Sequence, residues 1–353
     1  MKNLSILLAL ITTLFSVSIL ANIDKQDISL FEVSKTDKNL KQIVTQFEVI
    51  KNLEKSIQIY VPTFKTNELL ELAPKSKLIS KSIYANDKSN LLGEYRKYEE
   101  VVKLMNDIQA KYPHLVSVHE YGKSVKGNNL YYMKISDNVK IDEEEPELLI
   151  TAATHGDELI TTESLMRFLV NMMKNSDSDP RIKRMIEEHE LFFIPVVNPD
   201  GFLNRRRYTA DGTDPNREYP YPNKPNKRSV QCIKKEIEFF HTRNFAGSMD
   251  LHAYGEMIMY PWGYTKDEVS AADKVMFESL GKSMGAENKY KVGQISRIIY
   301  VAPASSADYY YWKNGTIAFG IELGKSKVPR SSRKIEEVVK ETTSMIYKFI
   351  EKF

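Results

Sequence analysis

The sequence predicts an α/β fold, a mixed parallel/antiparallel sheet covered by helices on both faces, preceded by a small α+β N-terminal domain. Two patterns carry this. From Tyr95 onward, strand-like apolar runs alternate with longer segments whose apolar residues recur at helical spacing. Before that point the elements are shorter and keep a rhythm of their own. Size agrees: 353 residues suggest roughly two domains at about 150 residues each. With 42% hydrophobic and 27% charged residues, a sizeable core can be buried.

At the start, Lys2 precedes an apolar run from Leu4 to Leu20, followed by Ala21 and polar Asn22-Ile23-Asp24. This reads as an export signal over residues 1–21. The run is close to the minimum spanning length of about 17 residues, so a membrane anchor is the other reading. Ser and Thr inside it favour cleavage, a secreted or periplasmic location, and no stable membrane insertion after signal removal. Cys232 is the only cysteine, so no disulfide within the chain and no all-cysteine metal site is possible. Lys+Arg 50 against Asp+Glu 47 is too balanced to argue for nucleic acid as a partner. A monomer is expected.

Residues 22–88 form the small domain, with strands expected over 28–33, 56–61 and 78–83 and helices over 38–47 and 66–72. Thr66 or Asn67 is the candidate cap of the second helix, and Pro74 its stop. The polar stretch 84–90, which includes Lys88, reads as a linker open to proteolytic nicking. The main domain, 89–353, opens with an amphipathic helix through Tyr98, Val101, Val102, Met105 and Ile108 that ends before Pro113. Strands are expected over 130–135, 147–153, 190–197, 247–252 and 316–323. The helices between and after them are expected over 158–173, 181–189, 233–240 and 334–349.

The chemistry begins at His155-Gly-Asp-Glu158, where an apolar strand gives way to a helix. Ligands of open α/β sheets bind at strand ends, and a His and a Glu three apart across such a turn can aim at one point. Zinc takes N and O donors of this kind, three from protein where the site is catalytic. Alone, His-x-x-Glu is a weak signal. His252, at the end of another strand candidate, completes a His, Glu, His set. The other four histidines, 114, 119, 189 and 241, have no metal-like company and read as surface or packing residues.

Asn198-Pro-Asp-Gly201, Asp214-Pro-Asn216-Arg217, His252-Ala-Tyr-Gly-Glu-Met-Ile-Met-Tyr-Pro-Trp-Gly263-Tyr264, Ile299-Tyr300 and Gly320-Ile-Glu322-Leu occur in order with the first pair. Together they resemble the motifs of the zinc metallocarboxypeptidases of the carboxypeptidase A type, whose metal site is a His₂Glu set. The segment from His114 to Gly127 resembles that family's opening, so the likeness runs from about Tyr95 to the C-terminus.

The resemblance implies one Zn2+ per chain, held by His155, Glu158 and His252, and hydrolysis of the C-terminal bond of peptides or proteins. Glu322 resembles the general base, and Arg207, chosen from Arg205-Arg206-Arg207 by spacing to Asn216, resembles the oxyanion donor. Asn216, Arg217 and Tyr300 resemble the residues that take the free carboxylate, a task that suits a guanidinium's paired donors. Asp214 resembles the acid behind His155. Ile295, Ala302, Ala307, Gly263 and Gly320 resemble the wall and floor of the side-chain pocket. Ala307 stands where basic-specific members place an acid, which favours apolar or aromatic side chains. Arg297 and Lys325 near the rim would favour acidic ones instead.

Residues 22–88 loosely resemble the activation domain of such enzymes, through Ile59-Tyr-Val-Pro62 leading into Asn67-Glu-Leu-Leu70, which makes a zymogen the expectation and a permanent accessory domain the alternative. Two other functions use the same residues: a specialised amidase for bacterial wall peptides or γ-linked glutamate, and a non-catalytic peptide-binding relative.

Overall fold

The central strands of the larger unit alternate their side chains between two apolar layers, and this alternation decides where the polar residues of the site emerge. The computed structural model describes residues 28–62, 65–80 and 95–353. The expected signal over 1–21 and the linker at 84–90 with Lys88 lie outside the described residues. The chain divides into two units, Met1–Ser89 and Asn90–Phe353, taken here one at a time.

The first unit runs β1 (Ile28–Ser34), α1 (Leu40–Gln46), β2 (Glu48–Asn52), β3 (Ser56–Pro62), α2 (Thr66–Leu72) and β4 (Lys77–Ser80). Its antiparallel sheet has the order β2-β3-β1-β4. Phe31, Val33, Ile57, Ile59 and Val61 from the strands, with Ile43, Phe47 and Leu69, form its buried core. Strand β2 was not legible in the sequence, because it leaves α1 after Phe47 alone with no turn residue between them. Neither Thr66 nor Asn67 caps α2; the cap position is Lys65 and Thr66 is already helical.

The second unit opens with α3 (Tyr98–Lys111) and continues through β5 (Val116–Lys123), β6 (Asn129–Ile135), β7 (Glu147–Ala152), α4 (Leu159–Lys174), α5 (Pro180–Glu187) and β8 (Glu190–Ile194). A short α6 (Pro199–Leu203), α7 (Gln231–Phe240), β9 (Phe245–His252), β10 (Met257–Tyr260), α8 (Ala271–Gly285) and β11 (Lys291–Gln294) follow. The chain finishes with α9 (Ile295–Ile298), α10 (Ser306–Asn314), β12 (Ile317–Glu322) and α11 (Ser332–Ile350). The eight-stranded sheet has the order β11-β10-β12-β9-β7-β8-β6-β5. Its centre, β12-β9-β7-β8, is parallel, and antiparallel pairs flank it. The mixed sheet predicted from the sequence is therefore present, with three more strands (β5, β10 and β11) than the pattern revealed.

One layer packs Leu148, Ile150, Met249, Leu251, Phe319 and Ile321 against α3, α4, α5, α8 and α11. The other packs Leu149, Phe192 and Ala318 against α7 and α10. Because Met249 and Leu251 face the first layer, Asp250 and His252 must face the second. The same reasoning sends Gly320 and Glu322 to the second layer, and the parallel register sets Glu322 beside His252. Both sit at the C-terminal ends of their strands, the end where ligands of such sheets bind.

The loop after β7 is built by close backbone approach. Ala153 adopts a left-handed φ of 49°, and Thr161 Oγ1 accepts its N–H at 3.1 Å. A Cβ on Gly156 would lie 2.1 Å from the Gly201 carbonyl carbon and 2.2 Å from the Phe202 nitrogen. Only glycine fits there. Asp200 in α6 secures the segment around Ser124 by accepting from Ser124 Oγ at 2.6 Å, Lys126 N at 3.1 Å and Asn128 Nδ2 at 2.7 Å.

Two glycine substitutions should separate accordingly. Gly156→Ala should lower stability by at least about 1–3 kcal/mol, the cost of overpacking against an unyielding neighbour. Gly320→Ala, whose Cβ meets nothing within 4 Å, should change stability by less than about 1 kcal/mol. Urea unfolding curves of the two variants check this; equal losses would contradict the packing argument.

Candidate metal and substrate site

Strand ends and the β7–α4 turn bring three electron-pair donors to one point. His155 Nδ1 lies 2.9 Å from Glu158 Oε1, and His252 Nδ1 lies 3.0 Å from Glu158 Oε2. The two Nδ1 atoms are 3.1 Å apart. Glu158 occupies the N-cap position of α4, and Ala253 N–H donates to its Oε2 at 3.1 Å. All three residues are buried.

The outer nitrogen of each ring has an acid behind it. His155 Nε2 meets Asp214 Oδ1 at 3.1 Å, and His252 Nε2 meets Asp250 Oδ2 at 2.9 Å. Asp214 and Asp250 are placed to accept a proton from each Nε2, the tautomer that would turn each Nδ1 lone pair toward a cation. Arg207 Nη1 donating to His155 Nδ1 at 3.0 Å agrees with that tautomer. Two lone pairs and a carboxylate facing one another are mutually repulsive unless a cation lies between them.

With no metal between them, the carboxylates favour a proton on the ring instead. Burial works against charge on His252, yet the carboxylates of Asp250 and Glu158 hold its pKa well above the usual histidine value. Burial likewise opposes ionisation of Glu158, but the charges and hydrogen bonds of His155 and His252 keep it well below the usual carboxylate range. The site draws in a positive charge, and this N,N,O donor set fits zinc. His155, Glu158 and His252 are the residues that could hold it.

Around this point stand the other residues singled out in the sequence. Arg207, buried, donates through Nε at 3.0 Å and Nη2 at 2.8 Å to Asp214 Oδ2. Burial and then the Arg207 charge act in opposite senses on Asp214, and its carboxyl ends well below the usual range. Arg205, by contrast, reaches the Arg96 carbonyl at 3.1 Å and covers the Phe202 ring. Arg217 Nη2 donates to the Tyr300 hydroxyl at 2.8 Å, and its Nη1 to the Asn216 carbonyl at 2.7 Å. Asn216 Nδ2 lies 3.0 Å from His252 Nε2. Glu322 is raised to about 7 by burial and by the nearby charge of Glu158. Ile295, Ala302 and Ala307 belong to one buried apolar cluster with Met259. Arg297 is engaged by Gln294 Oε1 at 2.9 Å and the Lys266 carbonyl at 3.0 Å. Lys325 is exposed and 3.5 Å from Glu256.

Sequence reading missed two residues. Asp250 receives four donors: Thr151 Oγ1 at 2.9 Å, Thr154 Oγ1 at 3.0 Å, Ser306 Oγ at 2.7 Å and His252 Nε2 at 2.9 Å. It was detectable, since an acid two residues before His252 in an apolar strand must share its face. Lys327 Nζ pairs with Asp157 Oδ2 at 2.9 Å and lies 3.7 Å from Glu158 Oε1; nothing in its spacing announced this. The remaining histidines have ordinary partners: His119 stacks on Tyr132 at 5.0 Å, His189 Nδ1 donates to the Met185 carbonyl at 3.1 Å, and His241 Nε2 meets Tyr309 hydroxyl at 2.7 Å. His114 is exposed.

Comparison with known proteins places this geometry. The family model of the zinc carboxypeptidases matches residues 101–345. A zinc carboxypeptidase of Saccharothrix mutabilis subsp. capreolus is 28% identical over 289 residues, 67% of this chain and 63% of the relative. Carboxypeptidase A1 of Bos taurus is 27% identical over 265 residues, 65% of this chain and 62% of the relative. The chain thus spans less than two thirds of the length of these curated relatives. Among solved structures, carboxypeptidase A from Helicoverpa armigera superposes with a TM-score of 0.69 at 17% identity, covering 92% of this chain and 96% of that one; this likeness concerns the fold. With the family model covering more than half of its residues, the chain belongs to the zinc carboxypeptidase family.

Proposed function

We propose that the protein removes C-terminal residues from peptides or proteins by hydrolysis at the site formed by His155, Glu158 and His252. The observation that carries this reading is the convergence of a zinc-type donor set with a paired Arg217 and Tyr300. When bound, zinc supplies a Lewis acid that polarises a carbonyl and acidifies water. Glu322, partly buried and beside His252, takes a proton from the attacking water and returns it to the leaving amine. Arg207 donates to the oxygen that gains charge as the carbonyl is attacked. Asn216, Arg217 and Tyr300 hold the free terminal carboxylate, which limits cleavage to the chain end. Ala307, Ala302 and Ile295 make a neutral wall for the departing side chain, with Gly320 leaving room beside it, a combination that suits apolar or aromatic termini. Asp214 and Asp250 act as positioning residues behind the two histidines.

We further read residues 22–88 as an activation segment of an exported protein. The support is the sequence resemblance of Ile59-Tyr-Val-Pro62 leading into Asn67-Glu-Leu-Leu70, with the apolar run from Leu4 to Leu20. No helix among the described residues is long and apolar enough to cross a membrane.

Five experiments test these readings. Removing metal with a chelator should stop release of single C-terminal residues from a peptide mixture read by mass spectrometry, and zinc should restore it. Glu322→Gln should keep zinc, by metal analysis, while kcat falls by roughly 100- to 10,000-fold. Arg217→Ala should lower kcat/KM on free C-termini by roughly 10- to 100-fold; wild-type cleavage of amidated peptides at equal rate would overturn the exopeptidase reading. Asp250→Asn should weaken zinc binding about 10- to 100-fold in a competition titration, whereas unchanged affinity would leave Asp250 a packing residue only. Limited proteolysis at 84–90 tests the activation segment: equal activity of intact and nicked protein would reject it.

A further inference from the structure

The opposite end of the sheet carries a second cluster of donors, and its charges do not balance. Asp137, Asp142, Glu143, Glu144 and Glu145 crowd the connection from β6 to β7, Glu147 opens β7, and Glu190 opens β8. Two cations serve this group. Lys134 Nζ lies 2.6 Å from Glu190 Oε1, 3.0 Å from Asp142 Oδ1 and 2.9 Å from the Ile141 carbonyl. Arg243 Nη1 lies 2.7 Å from Asp142 Oδ1 and 3.4 Å from Glu147 Oε1.

That leaves Asp137, Glu143 and Glu145, each with a carboxylate oxygen within 4.8 Å of the others'. Among the described residues, no basic side chain lies within ion-pair distance of any of the three. Two further oxygens point to a missing partner. Glu190 is 0% exposed and its Oε2 is buried without a hydrogen-bond donor. Glu145 Oε2 is buried and partnerless as well. Glu190 adjoins the cluster directly, since its Oε1 accepts the Glu143 N–H at 3.1 Å. Burial, followed by the charges of Glu143, Asp137 and Glu190, pushes the Glu145 carboxyl up. A buried oxygen without a donor is costly, carboxylates held this close repel one another, and one cation relieves both. Solvent reaches Glu143 and Glu145 through an open groove of about 460 Å³.

We propose that Asp137, Glu143 and Glu145, backed by Glu190, bind a hard divalent cation, and that calcium fits it best. The donors are all oxygens, with no nitrogen or sulfur among them, and most sit on one loop that can adapt to a large, irregular coordination shell. Magnesium demands a stricter octahedral arrangement and gives up its waters reluctantly. The site is independent of the hydrolase reading, which it neither uses nor supports.

The test uses the full chain loaded with zinc, stripped of loosely held cations on a chelating resin, its zinc content checked by metal analysis before and after. Calcium chloride is titrated by calorimetry, and thermal unfolding is followed in parallel. One saturable site with Kd between about 10⁻⁵ and 10⁻³ M is expected, with a rise in unfolding midpoint of roughly 5–10 °C at about 100 times Kd. Glu145→Gln and Asp137→Asn should each weaken binding at least about 10-fold. Each should also unfold no earlier than wild type without calcium, because repulsion is relieved. Absence of saturable heat, unchanged Kd in both variants, or an equal response to magnesium would overturn the proposal.

Discussion

Two carboxylate–imidazole pairs set up the whole site. Asp214 behind His155 and Asp250 behind His252 favour a proton on each Nε2, which frees both Nδ1 lone pairs for a metal beside Glu158. Without those acids either ring could turn a proton toward its neighbour, and metal would be held more weakly. The acids come from different places. Asp214 sits on a loop held by its own Asn216 N–H at 3.0 Å and by Arg207, whereas Asp250 lies in the sheet two residues before its partner.

Asp250 also links the metal site to the substrate side. Its Oδ2 accepts from Ser306 at the start of α10, next to Ala307, and Ser306 N–H donates to Asn216 Oδ1 at 3.3 Å. Asn216 precedes Arg217, whose guanidinium reaches Tyr300. A continuous chain of polar contacts therefore runs from His252 through Asp250 and Ser306 to the residues proposed for the carboxylate. Groups that must act on one bond are positioned by one network, and burial makes each misplacement in it expensive.

Much of this was legible because the sheet is regular. Period-two alternation in β9 and β12 places His252 and Glu322 on the face opposite Met249 and Ile321, so the order of motifs translated directly into proximity. The loop residues Arg207, Asn216 and Arg217 were found only by family resemblance; no periodicity governs loops. Strands β10 and β11 escaped notice because each has four residues, too few for a pattern, and β5, with His119 and Glu120 at its surface, is too polar to read as core. Lys327 was invisible for another reason: its partner Asp157 is 170 residues away, and only the fold brings them together.

The same parallel strands that end at the zinc-type donors begin at the acidic cluster. β7 has six residues and spans about 20 Å, from Glu147 at one end to the turn before His155 at the other. β8 runs beside it from the buried Glu190. A charge buried at the start of a central strand threatens its register, because a one-residue slip would exchange its two apolar faces. Lys134 on the neighbouring β6 already ties Glu190 down from one side. A cation held by Glu143 and Glu145 would close the other side and fix the entry to β7, which sets where the β7–α4 turn places His155 and Glu158. On this view the second cation is a matter of register and the first a matter of chemistry, and the sheet is the mechanical link between them.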